Sequence, residues 1–317
     1  MTKDRRGPAE LVLTATVARK HYLQGRSKVE IADELGLSRF KVARLLDAAI
    51  ETGIVRFEIV AAGDIDLDRS ARLQERYGLR HAIVLDSARL EPETLPEAMG
   101  TVAAQALSEI LEPGDVLGLP WSRSVLTMAR ALADHDLPPV DVVQISGAMA
   151  VPGYDTSAVD IVRRAARASG GHGAIFYAPL LLDDADNAAN LRREPQVAEV
   201  LAQGARVTVA VVGIGAWAPG DSTLYDAACD ADREAVRAAG AVGEFAGTFF
   251  DVAGRPLRTP LSDRIIAISA EHLGQVREVI GIATGESKRD AVRAAFAGGI
   301  LNAVVTDAVL ADALLAD

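Results

Sequence analysis

Residues 27–53 read SKVEIADELGLSRFKVARLLDAAIETG. Ser27 followed by Glu30 is a capping box, opening a helix with an apolar stripe of Val29, Ile31, Ala32 and Leu35. Gly36 supplies the permissive backbone a tight turn needs. Ser38 is a good N-cap for a second helix, along which Val42, Leu45, Leu46 and Ala49 recur on one face. Four residues separate Ala32, where the helices must approach closely, from Gly36 at the turn. That is the layout of a helix-turn-helix, whose second helix enters the major groove of DNA. Ser38, Arg39, Phe40, Lys41 and Arg44 fall on the start and outer face of that second helix. Arg39, Lys41 and Arg44 are candidates for base edges or phosphates, and the sequence does not sort one from the other. Phe40 suits either a thymine methyl or a place inside the unit. Ser27 and Lys28, at the preceding helix start, suit phosphate anchoring.

Working outward, residues 9–24 (AELVLTATVARKHYLQ) predict an amphipathic support helix with Leu11, Val12, Ala15, Ala18, Tyr22 and Leu23 available for packing. After Gly53, IVRFEIV alternates and is β-branched, which predicts a strand. A domain boundary is placed at AAGDIDLDRS, dividing the chain into residues 1–60 and 61–317. Charge supports the division. Residues 1–60 carry 11 Lys and Arg against 8 Asp and Glu, a balance of +3, and the remainder carries 22 against 36, a balance of -14. The net charge of -11 therefore conceals a mildly basic start on an acidic bulk. A +3 segment needs two or more copies for useful affinity to DNA, which points to self-association.

The 317 residues suit about two domains, and half of them are hydrophobic, enough for a large core. No apolar run reaches the length of a membrane span and MTKDRRGPAE has no signal-peptide core, so a cytoplasmic protein is expected. The single cysteine, Cys229, excludes an internal disulfide framework. From about residue 80, short Val/Ile runs (HAIVLD, DVLGLP, VDVVQISG, GAIFYAP, VTVAVVGIG, DRIIAIS, EVIGIAT, AVVTD) alternate with helical segments. Such runs read as strands buried on both faces, and the alternation predicts an α/β fold with a parallel sheet.

Ligands of open α/β sheets bind outside the carboxyl ends of the strands. Four strand exits here carry small or polar residues: Gly118 to Ser124 (GLPWSRS), Gln144 to Gly147 (QISG), Gly213 to Trp217 (GIGAW) and Thr284 to Lys288 (TGESK). At the first, helix amides, the Ser122 and Ser124 hydroxyls and the Arg123 guanidinium suit a phosphate. At the last, Lys288 in the first turn of a helix opposes the helix dipole, which a negative partner would explain. Glu244, Asp251, Asp263 and Asp307 lie near strand ends and suit sugar hydroxyls, with Asp307 also where an N-cap belongs. Trp121 and Trp217 read as core aromatics before sugar-stacking platforms. The five histidines have no ligand spacing, so no metal site is expected. With no Walker motif and no GxGxxG, no nucleotide cofactor is expected either.

EIADELGLSRFKVARLL with ETGIVRFEI, then GDVLGLPWSRSV, VVQISGA, VTVAVVGIGAW, GAVGEFAGTFFDVAGRPL, LSDRIIAIS and IGIATGESKRDAVRAAFAGGILNAVVTD together resemble the SorC family of sugar-binding bacterial transcription regulators, grouped near the deoxyribonucleoside (DeoR-like) regulators. The resemblance covers nearly the whole chain. It implies an effector domain similar to sugar-phosphate isomerases and glucosamine-phosphate deaminases without their activity, phosphorylated sugars as inducers, and tetramers built as dimers of dimers. Carried over, the effector contacts fall on Ser122, Arg123, Ser124, Gly147, Gly213, Glu244, Asp263 and Lys288. One departure stands out: where the family commonly has Gly-x-Gly-Trp-Gly-Arg-Thr, this chain has Pro120 and Ser122 in place of two glycines. Proline removes an amide donor and stiffens the loop. The effector is thus left open between a sugar phosphate, an unphosphorylated sugar and a polyol.

The function expected is an effector-controlled regulator that binds operator DNA. The alternative is a sugar-phosphate isomerase or deaminase-like enzyme carrying a DNA-binding module, with Glu244 or Asp263 as general base and Lys288 gripping phosphate. Lys288 also has the amine needed for a Schiff base with an aldehyde, but nothing in the sequence lowers its basicity. A purely architectural DNA-binding protein leaves the large acidic α/β region unexplained.

Overall fold

The computed structural model describes residues 7–56, 64–150 and 157–316. The chain divides into two compact units, Met1–Val60 and Ala61–Asp317.

The first unit is helical: α1 (Pro8–Ala18), continued by a π-helical turn over Arg19–Leu23, α2 (Lys28–Leu35) and α3 (Arg39–Glu51). The capping box forms as the sequence demands. Ser27 Oγ accepts from the Glu30 amide at 3.2 Å, and the Ser27 amide donates to Glu30 Oε2 at 2.8 Å. Gly36 closes α2 in the left-handed region at φ 65°, and Ser38 Oγ accepts from the Lys41 amide to open α3. Val17, Ala18, Ile31, Ala32, Val42, Leu45, Leu46 and Ala49 form the core of this unit. In α1 the packed face differs from the expected one. Thr14, Val17 and Ala18 are buried, while Leu11, Val12 and Leu23 are exposed. Thr14 tolerates burial because its hydroxyl donates to the Glu10 carbonyl at 2.8 Å. Val29 is also exposed, leaving Ile31 and Ala32 as the buried residues of α2. Most of the strand expected over IVRFEIV lies outside the described residues; Ile54 to Arg56, which are described, are not in a strand.

The second unit opens with α4 (Leu67–Tyr77), closed by Gly78 in the left-handed region, and β1 (His81–Leu85). Then come α5 (Leu95–Ile110), β2 (Val116–Leu119), α6 (Arg123–Ala131), β3 (Asp141–Gln144), α7 (Ala158–Ser169) and β4 (Gly173–Ala174). Helices α8 (Ala185–Arg193) and α9 (Pro195–Gln203) lead to β5 (Val209–Gly213) and β6 (Gly215–Ala216). Next are α10 (Thr223–Ala227), α11 (Asp230–Ala238), β7 (Gly243–Phe245), β8 (Thr248–Phe250) and β9 (Pro256–Leu257). The chain ends with α12 (Ala270–Gly274), β10 (Glu278–Ala283), α13 (Arg289–Ala297), β11 (Ala303–Asp307) and α14 (Ala308–Leu315).

Seven strands pair in the order β1-β11-β10-β5-β2-β3-β4, every pairing parallel, and β6 to β9 form a separate antiparallel sheet. Strand side chains alternate between faces, so a central parallel strand must be apolar at every position. In β5, Val209 and Val211 pack into the layer with α5, α6 and α7, while Ala210 and Val212 pack into the layer with α13 and α14. Each fully buried valine contributes about 1.5–3 kcal/mol relative to exposure. The expected strand DRIIAIS is a correction: this segment joins the fold through isolated bridges, Ser146 with Ala267 and Leu181 with Ile265. Its amides are used singly, as when Ile266 N donates to the Leu180 carbonyl, so no continuous ladder forms.

Candidate functional site

Strands β2 and β5 are neighbours in the sheet. From β2 the chain steps outward to β3 and β4, and from β5 it steps the opposite way to β10 and β11. That reversal is a topological switch point, where the loops after two adjacent strands part and leave a crevice. A cavity of about 390 Å³ lies there, within the size range of small-ligand sites.

Each exiting strand supplies part of its wall. After β2, Ser122 caps α6 by accepting from the Val125 amide at 3.2 Å, and its hydroxyl meets that of Ser124 at 3.0 Å. Amides in the first helical turn have no carbonyl within the helix to bond, so this wall offers donors. Arg123 begins α6 and is held by the Gly220 carbonyl at 3.1 Å. After β5, Gly213 is glycine for want of room: a methyl there would fall 2.4 Å from Ser122 Oγ. After β10, Gly285 takes φ 86° and donates its amide to Asp307 Oδ1, turning the chain so that Lys288 lines the cavity. Asp307 also caps α14, as expected.

Glu244, on β7, is buried against this space. Its Oε1 accepts from Ser222 Oγ at 2.8 Å and its Oε2 from the Gly247 amide at 3.4 Å. Burial raises its carboxyl above the ordinary range, against the opposing pull of those bonds and of Lys288. The Lys288 ammonium makes no hydrogen bond or ion pair among the described residues. Burial and then the Arg123 charge push its pKa down, while Asp221, Glu244 and Asp307 push it up. Asp221, which lines the cavity, accepts from Ser287 Oγ at 2.8 Å. Leu95, Pro96 and Met99 of α5 supply an apolar side. The arrangement pairs an amide- and hydroxyl-rich, cationic wall with one of carboxyl groups, matching a ligand with an anionic end and a hydroxylated body.

Six of the sequence-predicted effector residues are brought together here: Ser122, Arg123, Ser124, Gly213, Glu244 and Lys288. Two are not. Gly147 is glycine because the backbone of Pro179 crosses it, where a methyl would lie 2.4 Å from a carbonyl oxygen. Asp263 lines a separate cavity and is ion-paired to Arg258 at 2.9 Å. Asp221 and Ser222 went unpredicted; the signal was the turn Pro219-Gly220 followed by Ser222, which caps α10. Both tryptophans are core residues. Trp217 meets Tyr225 and Phe249 edge-on, each at 5.1 Å, and Trp121 is 4 % exposed.

In the helical unit, Ser27, Lys28, Ser38, Arg39 and Arg44 are exposed and Lys41 is half-buried. Arg39, Lys41 and Arg44 make no ion pair among the described residues. Phe40 is 84 % exposed, so it does not pack inside the unit.

Residues 64–316 match the protein family described as "Putative sugar-binding domain". The chain is 31% identical over 313 residues to the transcriptional regulator LsrR of Klebsiella pneumoniae subsp. pneumoniae, covering 97% of this chain and 94% of that protein. It is 29% identical to the sorbitol operon regulator of Klebsiella pneumoniae, over 96% of this chain and 98% of the other. The crystal structure of full-length SorC from the same species superposes with a TM-score of 0.73 at 26% identity, covering 99% of this chain and 100% of that one. The chain belongs to the SorC-type family of sugar-binding transcriptional regulators. It is a regulator, which sets aside the enzymatic reading of Glu244 and Lys288. Among the described residues no helix is long and apolar enough to cross a membrane.

Proposed function

We infer that this protein is a cytoplasmic regulator of carbohydrate genes that binds operator DNA through α2 and α3 and releases or engages it when a small effector enters the switch-point cavity. Ser38, Arg39, Phe40, Lys41 and Arg44 face the major groove, with Ser27 and Lys28 on the phosphate backbone. The effector is a sugar phosphate, its anionic end at Ser122, Arg123, Ser124 and the first amides of α6, its hydroxylated chain toward Asp221, Glu244 and Lys288. Self-association as a dimer or tetramer sets two recognition helices on half-sites about 34 Å apart, and the effector shifts that spacing.

The observation that carries this reading is the cavity itself: three strand exits converge on it with a cation, Lys288, that has no ion-pair partner among the described residues. Thermal-shift titration of the full chain against sugar phosphates, sugars and polyols tests it, because a ligand specific to the folded state raises the melting temperature. Stabilisation by phosphorylated compounds is the expected result. Stabilisation by unphosphorylated compounds alone withdraws the phosphate assignment and makes the Pro120 and Ser122 substitutions its explanation.

A further inference from the structure

The α/β unit holds a second cavity, of about 340 Å³, whose lining shares no residue with the switch-point cavity. Three pieces of chain wall it: the end of α8 with Arg192, strands β8 and β9 with Thr248 and Leu257, and the segment from Ser262 to Ala270. That last segment makes isolated bridges and no continuous ladder, so its carbonyls need donors from elsewhere. Arg192 supplies them. Its Nε donates to the Ile265 carbonyl at 3.2 Å, and its Nη2 to the carbonyls of Asp263 at 2.8 Å and Ile265 at 2.6 Å.

Those carbonyls call for a donor, not for a charge. A neutral amide would serve them, whereas a half-buried guanidinium brings a positive charge that costs free energy unless it is matched. Arg192 makes no ion pair among the described residues. Asp263, the carboxylate on this cavity, is already taken: its Oδ1 accepts from Nε and Nη2 of Arg258 at 3.2 and 2.9 Å. The helix dipole does not require Arg192 either, because Arg193, exposed in the same last turn of α8, answers it. Burial pushes the basicity of Arg192 down, Asp263 opposes that and Arg258 adds to it, and a guanidinium stays charged near neutral pH regardless. Two guanidiniums against one carboxylate leave the lining at +1, inside a unit whose balance is -14. Two donors on this lining are unspent: Arg192 Nη1 and the Thr248 hydroxyl make no hydrogen bond among the described residues. The Gly247 amide beside them is committed to Glu244 Oε2 at 3.4 Å. Much of the remaining wall is apolar, with Leu257, Ile265 and Ile268. We propose that this cavity is a second ligand site and takes a short aliphatic carboxylic acid as its anion, the carboxylate on Arg192 and the Thr248 hydroxyl and the chain along Leu257, Ile265 and Ile268. A lining charge of one and two free donors suit a monoanion, whereas a phosphate dianion has more oxygens than these donors can meet.

The test titrates the full chain near neutral pH with hexanoate, its uncharged counterpart hexanamide, and inorganic phosphate, read by saturation-transfer NMR and calorimetry. Hexanoate is expected to bind, hexanamide to bind about tenfold more weakly or worse, and phosphate to leave bound hexanoate in place. Arg192→Gln is expected to weaken hexanoate about tenfold or more, and Thr248→Val, which keeps the shape without the hydroxyl, about fivefold. Lys288→Ala binds hexanoate as the parent does. Should Arg192→Gln fail to fold, Thr248→Val and hexanamide decide. Absence of hexanoate binding overturns the proposal. Equal binding of hexanamide overturns it by showing an apolar hole that ignores charge, and displacement of hexanoate by phosphate overturns it by showing a site that reads charge alone. Hexanoate binding that Lys288→Ala abolishes and Thr248→Val leaves intact also overturns it, because the acid then sits in the switch-point cavity.

Discussion

The two units of this chain treat positive charge in opposite ways. In the α/β unit most arginines are spoken for: Arg69 by Asp66 and Asp312, Arg233 by Asp230, Arg255 by Asp251, Arg264 by Asp232, Arg277 by Asp115. In the helical unit the cations of the recognition helix, Arg39, Lys41 and Arg44, make no such pair among the described residues. Lys288 is the α/β unit's counterpart to them, a cation with no ion pair among the described residues, beside a cavity rather than on an open surface. On the proposed function, unpaired charge stands where a polyanion or a small anion would arrive, and paired charge elsewhere would keep an arginine-rich surface from competing for the same partners.

The largest effect separates the units by their cores. Among the described residues eight form the core cluster of the helical unit, and Leu46 is 2 % exposed within it. Leu46→Ala is expected to cost about 2–5 kcal/mol, enough to unfold that unit while the α/β unit remains folded. Calorimetry reads this as loss of one transition and retention of the other. A single transition that shifts as a whole would show that the units unfold together. Next in size is Arg44→Ala, expected to weaken operator binding by about 1–3 kcal/mol if Arg44 reads a base. A titration at fixed salt with unchanged affinity would return Arg44 to the solvated surface and blunt the contrast between the units.

The sequence revealed most where one physical rule dominated. Strands β1, β2, β5, β10 and β11 were legible because burial on both faces makes their runs apolar, with polar residues confined to the ends, as His81, Glu278, Thr306 and Asp307 are. The helix-turn-helix was legible because its caps, Ser27, Glu30, Gly36 and Ser38, are local chemistry. Helix α8 went unseen because ADNAANLRR carries little apolar periodicity, and α9, although Val197, Val200 and Leu201 do recur at helical spacing in it, was missed beside it. The β6 to β9 sheet went unseen because its strands are two or three residues long. At the site, strand exits announced Ser122, Gly213 and Lys288, whereas Asp221 arrives on a loop marked only by the Pro219-Gly220 turn and the Ser222 cap, which signal a helix start rather than a cavity. Gly147 misled because a glycine needed for backbone approach to Pro179 reads the same as one beside a ligand.

A smaller effect probes the carboxyl facing Lys288. Burial raises Glu244 above the usual carboxylate range, so the folded chain binds that proton more tightly than the unfolded chain. The resulting stability is complete below the unfolded value and is lost as pH rises through the folded one. Glu244→Gln keeps the shape without the ionisation. Its melting temperature, relative to the parent, is therefore expected to rise as pH climbs above the ordinary carboxylate range. Subtracting the parent curve removes the opposite trend of carboxylates held low by their partners, such as Asp115. A difference that is flat with pH would mean that Glu244 stays ionised in the fold, fully matched by Lys288.

The smallest effect is the most pointed test of what the paired arginines do. Arg255 contacts Asp251 at 2.7 Å with its side chain 77% exposed. An exposed pair of this kind contributes little to stability, since solvent screens the attraction and ordering the side chain offsets it. Asp251 has work of its own, accepting from the Ala253 and Arg255 amides at 2.9 Å each, so it keeps the turn without the guanidinium. Arg255→Ala is therefore expected to leave the melting temperature within error and to release one unneutralised carboxylate at the surface. If pairing serves to cancel charge rather than to hold the fold, non-specific retention of the variant on an anionic resin falls while its stability does not. A marked loss of stability instead would make these pairs structural, and the contrast between the two units would then reflect packing rather than placement of charge.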